Sequence, residues 1–134
     1  MRKIASFSDK SIEKTVHDIL RSRARSQIYI YLLKKSCAKT EQIIKGTRLH
    51  PSTVRETLSE MYDQKLIFRE KIKNGVIGKN PFMYYPISPI ELLKKHASDM
   101  EKRLNRLVNL TYSKNKTNNC SCVKIDIQET RNKI

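Results

Sequence analysis

The chain has 134 residues, with 28 Lys and Arg against 13 Asp and Glu for a formal net charge of +15, and a pI near 9.9. Such an excess of positive charge favours polyanionic partners, nucleic acid first among them, and leaves the fold open. The longest apolar run, residues 28–33, falls far short of the roughly 20 residues of a membrane span, and the basic start MRKIASFSDKSIEK has no apolar signal core, so the expectation is a cytoplasmic protein without a membrane partner.

Three cysteines, Cys37, Cys120 and Cys122, are too few and too unevenly placed for a secreted disulfide framework. The spacing of apolar residues divides the chain into a flexible N-terminus (1–10), a mainly helical domain with a small β-hairpin (11–88), a coiled-coil-like helix (89–112) and a polar tail (113–134). A first helix is expected from Ser11, because Ile12, Val16, Ile19 and Leu20 share one face. It leads into RSRARS, where Arg21, Arg23 and Arg25 concentrate positive charge at a junction suited to phosphate contact; a solvated basic linker accounts for the same residues. A second helix over residues 24–35 is apolar around much of its girth, with Ile28, Tyr29, Ile30, Tyr31, Leu32 and Leu33, and should be the central core helix. Cys37 and Ala38 then read as small residues in a connection, Cys37 as a small, partly buried hydrophobe.

Residues 40–66, TEQIIKGTRLHPSTVRETLSEMYDQKL, carry the organising signal. Thr40 is a suitable N-cap, Ile43 and Ile44 are apolar, Gly46 is a C-terminal stop, and Pro51 sits where a second helix tolerates proline. In that helix, about residues 51–64, Val54, Leu58 and Met61 recur at i, i+4 and i+7 and form a buried face. The opposite face presents Ser52, Glu56 and Ser59, with Thr53 and Arg55 on its shoulders. Two short helices so joined match a helix-turn-helix whose second member reads the DNA major groove, and an ordinary helical hairpin has the same spacing. Arg48 lies in the turn between them, and His50 is placed either to meet phosphate or to cap the second helix.

The period then changes to that of strands. LIFREKI, a turn-rich KNGVIGKNP and FMYYPI read as a hairpin, with Asn74, Gly75 and Gly78 supplying positive φ. Alternation sends Phe68 and Ile72 to one side of the first strand and Arg69, Lys71 and Lys73 to the other. Lys73, Lys79 and Asn80 sit near the tip, in reach of a phosphate backbone or minor-groove edge. Phe82, Tyr84 and Tyr85 are expected to be packing residues. Helices, helix-turn-helix and a basic hairpin, in that order, are the succession of a winged helix-turn-helix, with a wing over about residues 67–87.

After Pro86 and Pro89, the residues Ile90, Leu93, Ala97, Met100, Leu104, Leu107 and Thr111 alternate at spacings of three and four over three heptads. This narrow stripe predicts a helix-helix seam, most economically with a second copy of the chain; Leu92, Val108 and Leu110 lie off it and would suit packing on the chain's own domain. In the tail Val123, Ile125 and Ile127 alternate like a short strand without an evident partner. Cys120 and Cys122 form a CxC pair that can chelate a soft metal or oxidise, yet two thiols without a nearby His or second pair are more simply incidental, so no metal and no cofactor is expected.

From ILRSRARSQIYIYLLKK through TEQIIKGTRLHPSTVRETLSEMYDQKLIFRE, the chain resembles winged-helix transcription regulators of the archaeal kind, in particular the DNA-binding half of the TrmB-like group. The resemblance covers about residues 12–110 and rests on STVRETL, the apolar spacing around it and a wing ending in aromatics. It implies sequence-specific duplex binding, with Ser52, Thr53, Arg55, Glu56 and Ser59 carried over to the base-reading face, and pairing of subunits through the helix after the wing. Two features depart from the pattern. Lys65 stands where such proteins usually have glycine before the wing, and the chain stops soon after the pairing helix, so the resemblance carries no effector domain and no sugar ligand.

Two functions fit these residues. One is a homodimeric, sequence-specific, double-stranded DNA-binding regulator with Arg55 aimed at a guanine edge and Glu56 at a cytosine amino group. The other is a protein-interaction module of the transcription machinery with non-specific nucleic-acid binding, suggested by Glu56, Glu60 and Asp63 outnumbering Arg55 on the second helix. RNA binding is disfavoured by the lack of a recognisable RNA-binding strand motif. No phosphate-binding glycine loop, nucleophile elbow or metal-protease helix points to an enzyme.

Overall fold

The computed structural model describes residues 10–72, 81–113 and 121–128. In chain order these form α1 (Lys10–Leu20), α2 (Arg23–Lys35), β1 (Ala38–Lys39), α3 (Thr40–Thr47), α4 (Pro51–Asp63), β2 (Ile67–Lys71), β3 (Phe82–Pro86) and α5 (Pro89–Ser113). Two compact units result, residues 1–87 and 88–134. The first is a winged helix: helices around a small antiparallel sheet.

The core of this unit is built on α2. Ile28, Tyr29 and Leu32 have lost essentially all contact with solvent, as have Ile43 of α3, Val54 and Met61 of α4, and Ile67 of β2. Two residues separate the end of α1 from the start of α2, which begins earlier than the apolar pattern suggests. Ser22 is its N-cap, with the Arg25 N–H donating to its Oγ at 3.3 Å. RSRARS is therefore no linker: Arg23 and Arg25 belong to the first turn of α2, and only Arg21 and Ser22 lie between the helices. The Tyr29 hydroxyl donates to the Ile87 carbonyl at 2.9 Å, and burial pushes its phenol pKa up, which keeps it a donor.

Three further expectations are corrected. The hairpin is part of a three-stranded sheet of order β1-β3-β2: Ala38 pairs with Tyr84 and Lys39 with Met83, where a plain connection was expected. This pairing holds Lys39 extended, so Lys39, not Thr40, is the N-cap of α3, its N–H bonded to Gln42 Oε1 at 2.9 Å. Gly46, expected as the stop of α3, lies inside it. A Cβ there would come within 2.5 Å of Tyr31 Cε2, so glycine serves to let the Tyr31 ring lie against α3. The helix is closed instead by Arg48, left-handed at φ 60°, whose N–H bonds Ile44 O at 3.0 Å.

In β2 and β3 the register is Ile67↔Pro86 through Lys71↔Phe82. Ile87 N–H to Leu66 O and Ile72 N–H to Pro81 O extend the pairing at either end. Residues 73–80, with Lys73, Lys79, Asn80 and the Asn74-Gly75 and Gly78 turn, lie outside the described residues, as do residues 1–9 and Cys120.

In the second unit, α5 is a 25-residue helix with Ser88 before it, whose Oγ accepts from Glu91 N–H at 3.3 Å. Leu107 and Leu110 are 65% and 66% exposed, and Ile90, Leu93 and Leu104 are also exposed. Ala97 and Met100 are half-buried and Leu92 is buried. The alternating Val123, Ile125 and Ile127 are met by side chains of this helix rather than by a strand. The Asn105 carboxamide donates to Val123 O at 3.1 Å and accepts from Val123 N–H at 2.7 Å, and Glu101 Oε2 accepts from Ile125 N–H at 3.1 Å.

Candidate nucleic-acid interface

Helix α4 buries Val54, Thr57, Leu58 and Met61, which anchors it to the core and leaves its other face to solvent. Ser52, Arg55, Glu56 and Ser59 are exposed there and Thr53 is half-buried. Among the described residues Arg55 makes no ion pair, so its guanidinium is available to a ligand. Pro51 occupies the first turn, and His50 is the N-cap: its Nδ1 accepts the Ser52 N–H at 3.2 Å and lies 2.7 Å from Ser52 Oγ. Of the two roles the sequence left open for His50, capping is the one the geometry carries, and it engages the Ser52 hydroxyl in the free protein.

Two contacts position this helix that periodicity could not disclose. Arg25 Nη2 of α2 meets Glu60 Oε2 of α4 at 3.0 Å, with the two side chains 27% and 47% exposed. The pair therefore offsets one acidic charge on α4 and ties it to α2; at this exposure it contributes at most about 1 kcal/mol. Arg69 of β2 lies over two rings, 3.8 Å from the centroid of Tyr62 at the end of α4 and 4.4 Å from that of Phe82 on β3. This guanidinium, expected on the outer basic face, fastens the wing to the recognition-like helix through cation–π contacts.

The face assignment within the wing changes accordingly. Ile67, Arg69 and Lys71 share a side with Pro86, Tyr84 and Phe82, and it is Ile67 that reaches the core. Phe68 is 58% exposed because it lies on the other side, with Glu70, Tyr85 and Met83. Tyr84 is buried and pairs with Phe82 at a centroid distance of 6.2 Å. On the outer side the Tyr85 hydroxyl reaches Glu70 Oε2 at 3.5 Å. Partial desolvation, then the Glu70 charge, raise its pKa.

The remaining basic residues are distributed around this frame. Arg48, exposed, is in the α3–α4 turn beside the start of α4, and Lys71 is exposed on β2. Arg21, exposed and left-handed at φ 56°, closes α1 with its N–H on His17 O at 2.7 Å, and Arg23 is exposed one turn from Gln27 on α2. Among the described residues no group of three His, Cys, Asp or Glu side chains converges to hold a metal; Cys37 is half-buried and Cys122 exposed. Among the described residues no helix is long and apolar enough to cross a membrane.

No family model and no curated protein matches the chain. Solved structures do. One is a protein of Methanosarcina mazei Go1 described as a possible transcriptional regulator, at TM-score 0.58 and 17% identity, covering 74% of this chain and 87% of that one. Its likeness shows the fold, a winged helix. Weaker likenesses are to the antimony-specific transcriptional repressor AntR, at TM-score 0.47 and 12% identity over 84% of this chain and 90% of that one, and to ZitR of Lactococcus lactis in its C30AH42A apo form, at TM-score 0.38 and 14% identity over 78% and 73%.

Proposed function

We propose that the chain is a homodimeric, sequence-specific double-stranded DNA-binding transcription regulator acting in the cytoplasm, with the TrmB-like regulators as its functional parallel. The observation that carries this reading is the geometry of α4: a helix fixed by its buried face, its cap, Arg25 and the Arg69 stack, presenting unpaired Arg55 with Ser52, Thr53, Glu56 and Ser59 outward. Arg55 reads a guanine edge and Glu56 accepts from a cytosine amino group. Arg21, Arg23, Arg48 and Lys71, with Lys73, Lys79 and Asn80 of the wing, contact phosphates, while Arg25 and Arg69 hold the reading helix and wing in register. The exposed leucines of α5 support pairing of two copies through Ile90, Leu93, Ala97, Met100, Leu104 and Leu107, an apolar stripe that a solvated helix would not otherwise display. Two recognition helices then enter successive major grooves roughly 34 Å apart.

Glu56 and Asp63, which no basic side chain offsets among the described residues, favour a second reading, a protein-interaction module of the transcription machinery that binds nucleic acid without sequence preference. Arg55→Ala separates the two. A regulator loses discrimination at one base position of its site, by about 1–3 kcal/mol; an interaction module binds all duplexes as before.

A further inference from the structure

In the second unit the apolar stripe of α5 stays bare although a piece of the chain's own tail lies beside it. Asn105 and Glu101 bond the backbone of Val123 and Ile125, and Ile127 lines a small cavity with Lys94 and Ala97. With the tail so placed, Ile90, Leu93, Leu104 and Leu107 remain 37%, 42%, 37% and 65% exposed. The tail thus takes one flank of the helix and leaves the stripe to another occupant. A second copy of the same stripe matches it in length and in apolar character.

The residues of the stripe distinguish the two directions in which that copy could run. Ile90, Ala97 and Leu104 are at a positions and Leu93, Met100 and Leu107 at d. A parallel, in-register pair sets each residue against its own copy, so Ala97 meets Ala97 in the middle of the seam and leaves that layer short of volume. Across its flanks Lys94 meets Pro89, Arg103 meets Val108 and Glu101 meets His96. An antiparallel pair sets a against d. Ile90 then faces Leu107, Leu93 faces Leu104, and Ala97, the smallest member, faces Met100, the longest and most adaptable. All six are covered. On one flank Lys94 comes opposite Glu101, a complementary pair of charges; on the other His96 meets Arg103, whose charge Asp99 of its own helix offsets at 3.7 Å.

We propose that α5 pairs with α5 of a second copy in antiparallel orientation, Leu93 of each copy against Leu104 of the other. This rests on the homodimer reading above and adds its direction and register. The two Ile90 residues then lie about 26 Å apart along the axis, so the chains enter the pair from opposite ends, a spacing that accords with half-sites roughly 34 Å apart. In a parallel pair both chains would enter at one end.

Disulfide trapping tests the direction. In the full chain carrying Cys37→Ala, Cys120→Ser and Cys122→Ser, Leu93→Cys and Leu104→Cys are made as separate variants, then oxidised alone and after mixing in the reduced state. Antiparallel pairing brings position 93 of one copy within disulfide reach of position 104 of the other and holds like positions about 16 Å apart. The expected result is a covalent dimer in the mixture and none in either variant alone. In the unsubstituted chain, a dimer of one ¹³C-methyl-labelled and one unlabelled copy is expected to show intermolecular NOEs between Leu93 and Leu104, which checks the pairing without cysteines. Covalent dimers from each variant alone would show parallel pairing and overturn the proposal while leaving the homodimer reading intact. A sedimentation mass of one chain for the unsubstituted protein would overturn the homodimer reading itself. A dimeric mass with neither cross-link nor intermolecular NOE between these leucines would show pairing elsewhere than the stripe, and overturns the proposal as well.

Discussion

Lys65 adopts φ 60° at the point where α4 gives way to the wing, and the hydrogen bonds around it are those of a Schellman motif. Leu66 N–H reaches Met61 O at 2.9 Å and Lys65 N–H reaches Tyr62 O at 3.1 Å, with Leu66 and Met61 both buried beneath. The left-handed conformation costs a side-chain-bearing residue about 1–2 kcal/mol. Glycine avoids that cost but loses about 0.5–1 kcal/mol more backbone entropy on folding. Replacing Lys65 also removes a cation from the end of α4, where it contributes about 0.3–1 kcal/mol, so Lys65→Ala is the proper reference: both variants lose the charge and only one escapes the strain. Lys65→Gly is expected to exceed Lys65→Ala in stability by about 0.5–1 kcal/mol, or about 2–8 °C in Tm for a unit of this size. Urea and thermal unfolding of the full chain, followed by circular dichroism at one protein concentration, measure the difference. If the alanine variant equals or exceeds the glycine variant, the left-handed junction between α4 and β2 is wrong.

Gly46→Ala is expected to destabilise by about 1–2 kcal/mol despite the better helix propensity of alanine, because its Cβ displaces the Tyr31 ring. In a Tyr31→Ala background the same change becomes neutral or stabilising by up to about 1 kcal/mol, and an identical cost in both backgrounds would refute the close approach. Leu104→Lys places a charge in the proposed α5 seam and should yield monomers; an unchanged sedimentation mass would remove the coiled-coil argument.

The parts of the fold legible in the sequence were those that rest on repetition. Val54, Leu58 and Met61 repeat at helical spacing, Pro51 marks a helix start, and the alternation after Leu66 marks a wing. What escaped was set by contacts distant in sequence. Two residues, Ala38 and Lys39, have no local strand signal and become β1 only because Tyr84 and Met83 pair with them. Gly46 has the sequence signature of a helix stop, whereas the left-handed positions among the described residues are Arg21, Ser36, Arg48 and Lys65, and Gly46 is explained by the ring of Tyr31 fifteen residues earlier. The alternation of β2 separates its two sides without showing which one is buried: Ile67 precedes Phe68, and the core side is that of Ile67 and Arg69. Only then does Arg69 fall between Tyr62 and Phe82, a stack joining three elements that no single window of sequence contains.

The most direct measurement is selection of duplexes from a random library, followed by affinities of the full chain for the winner and a scrambled duplex across a salt series. A dimeric specific regulator predicts a palindromic winner bound at least about a thousandfold more tightly than the scrambled duplex at every salt concentration. Equal affinities that fall together and steeply with salt, by about 0.9 log unit per log unit of salt for each phosphate contact, would contradict it.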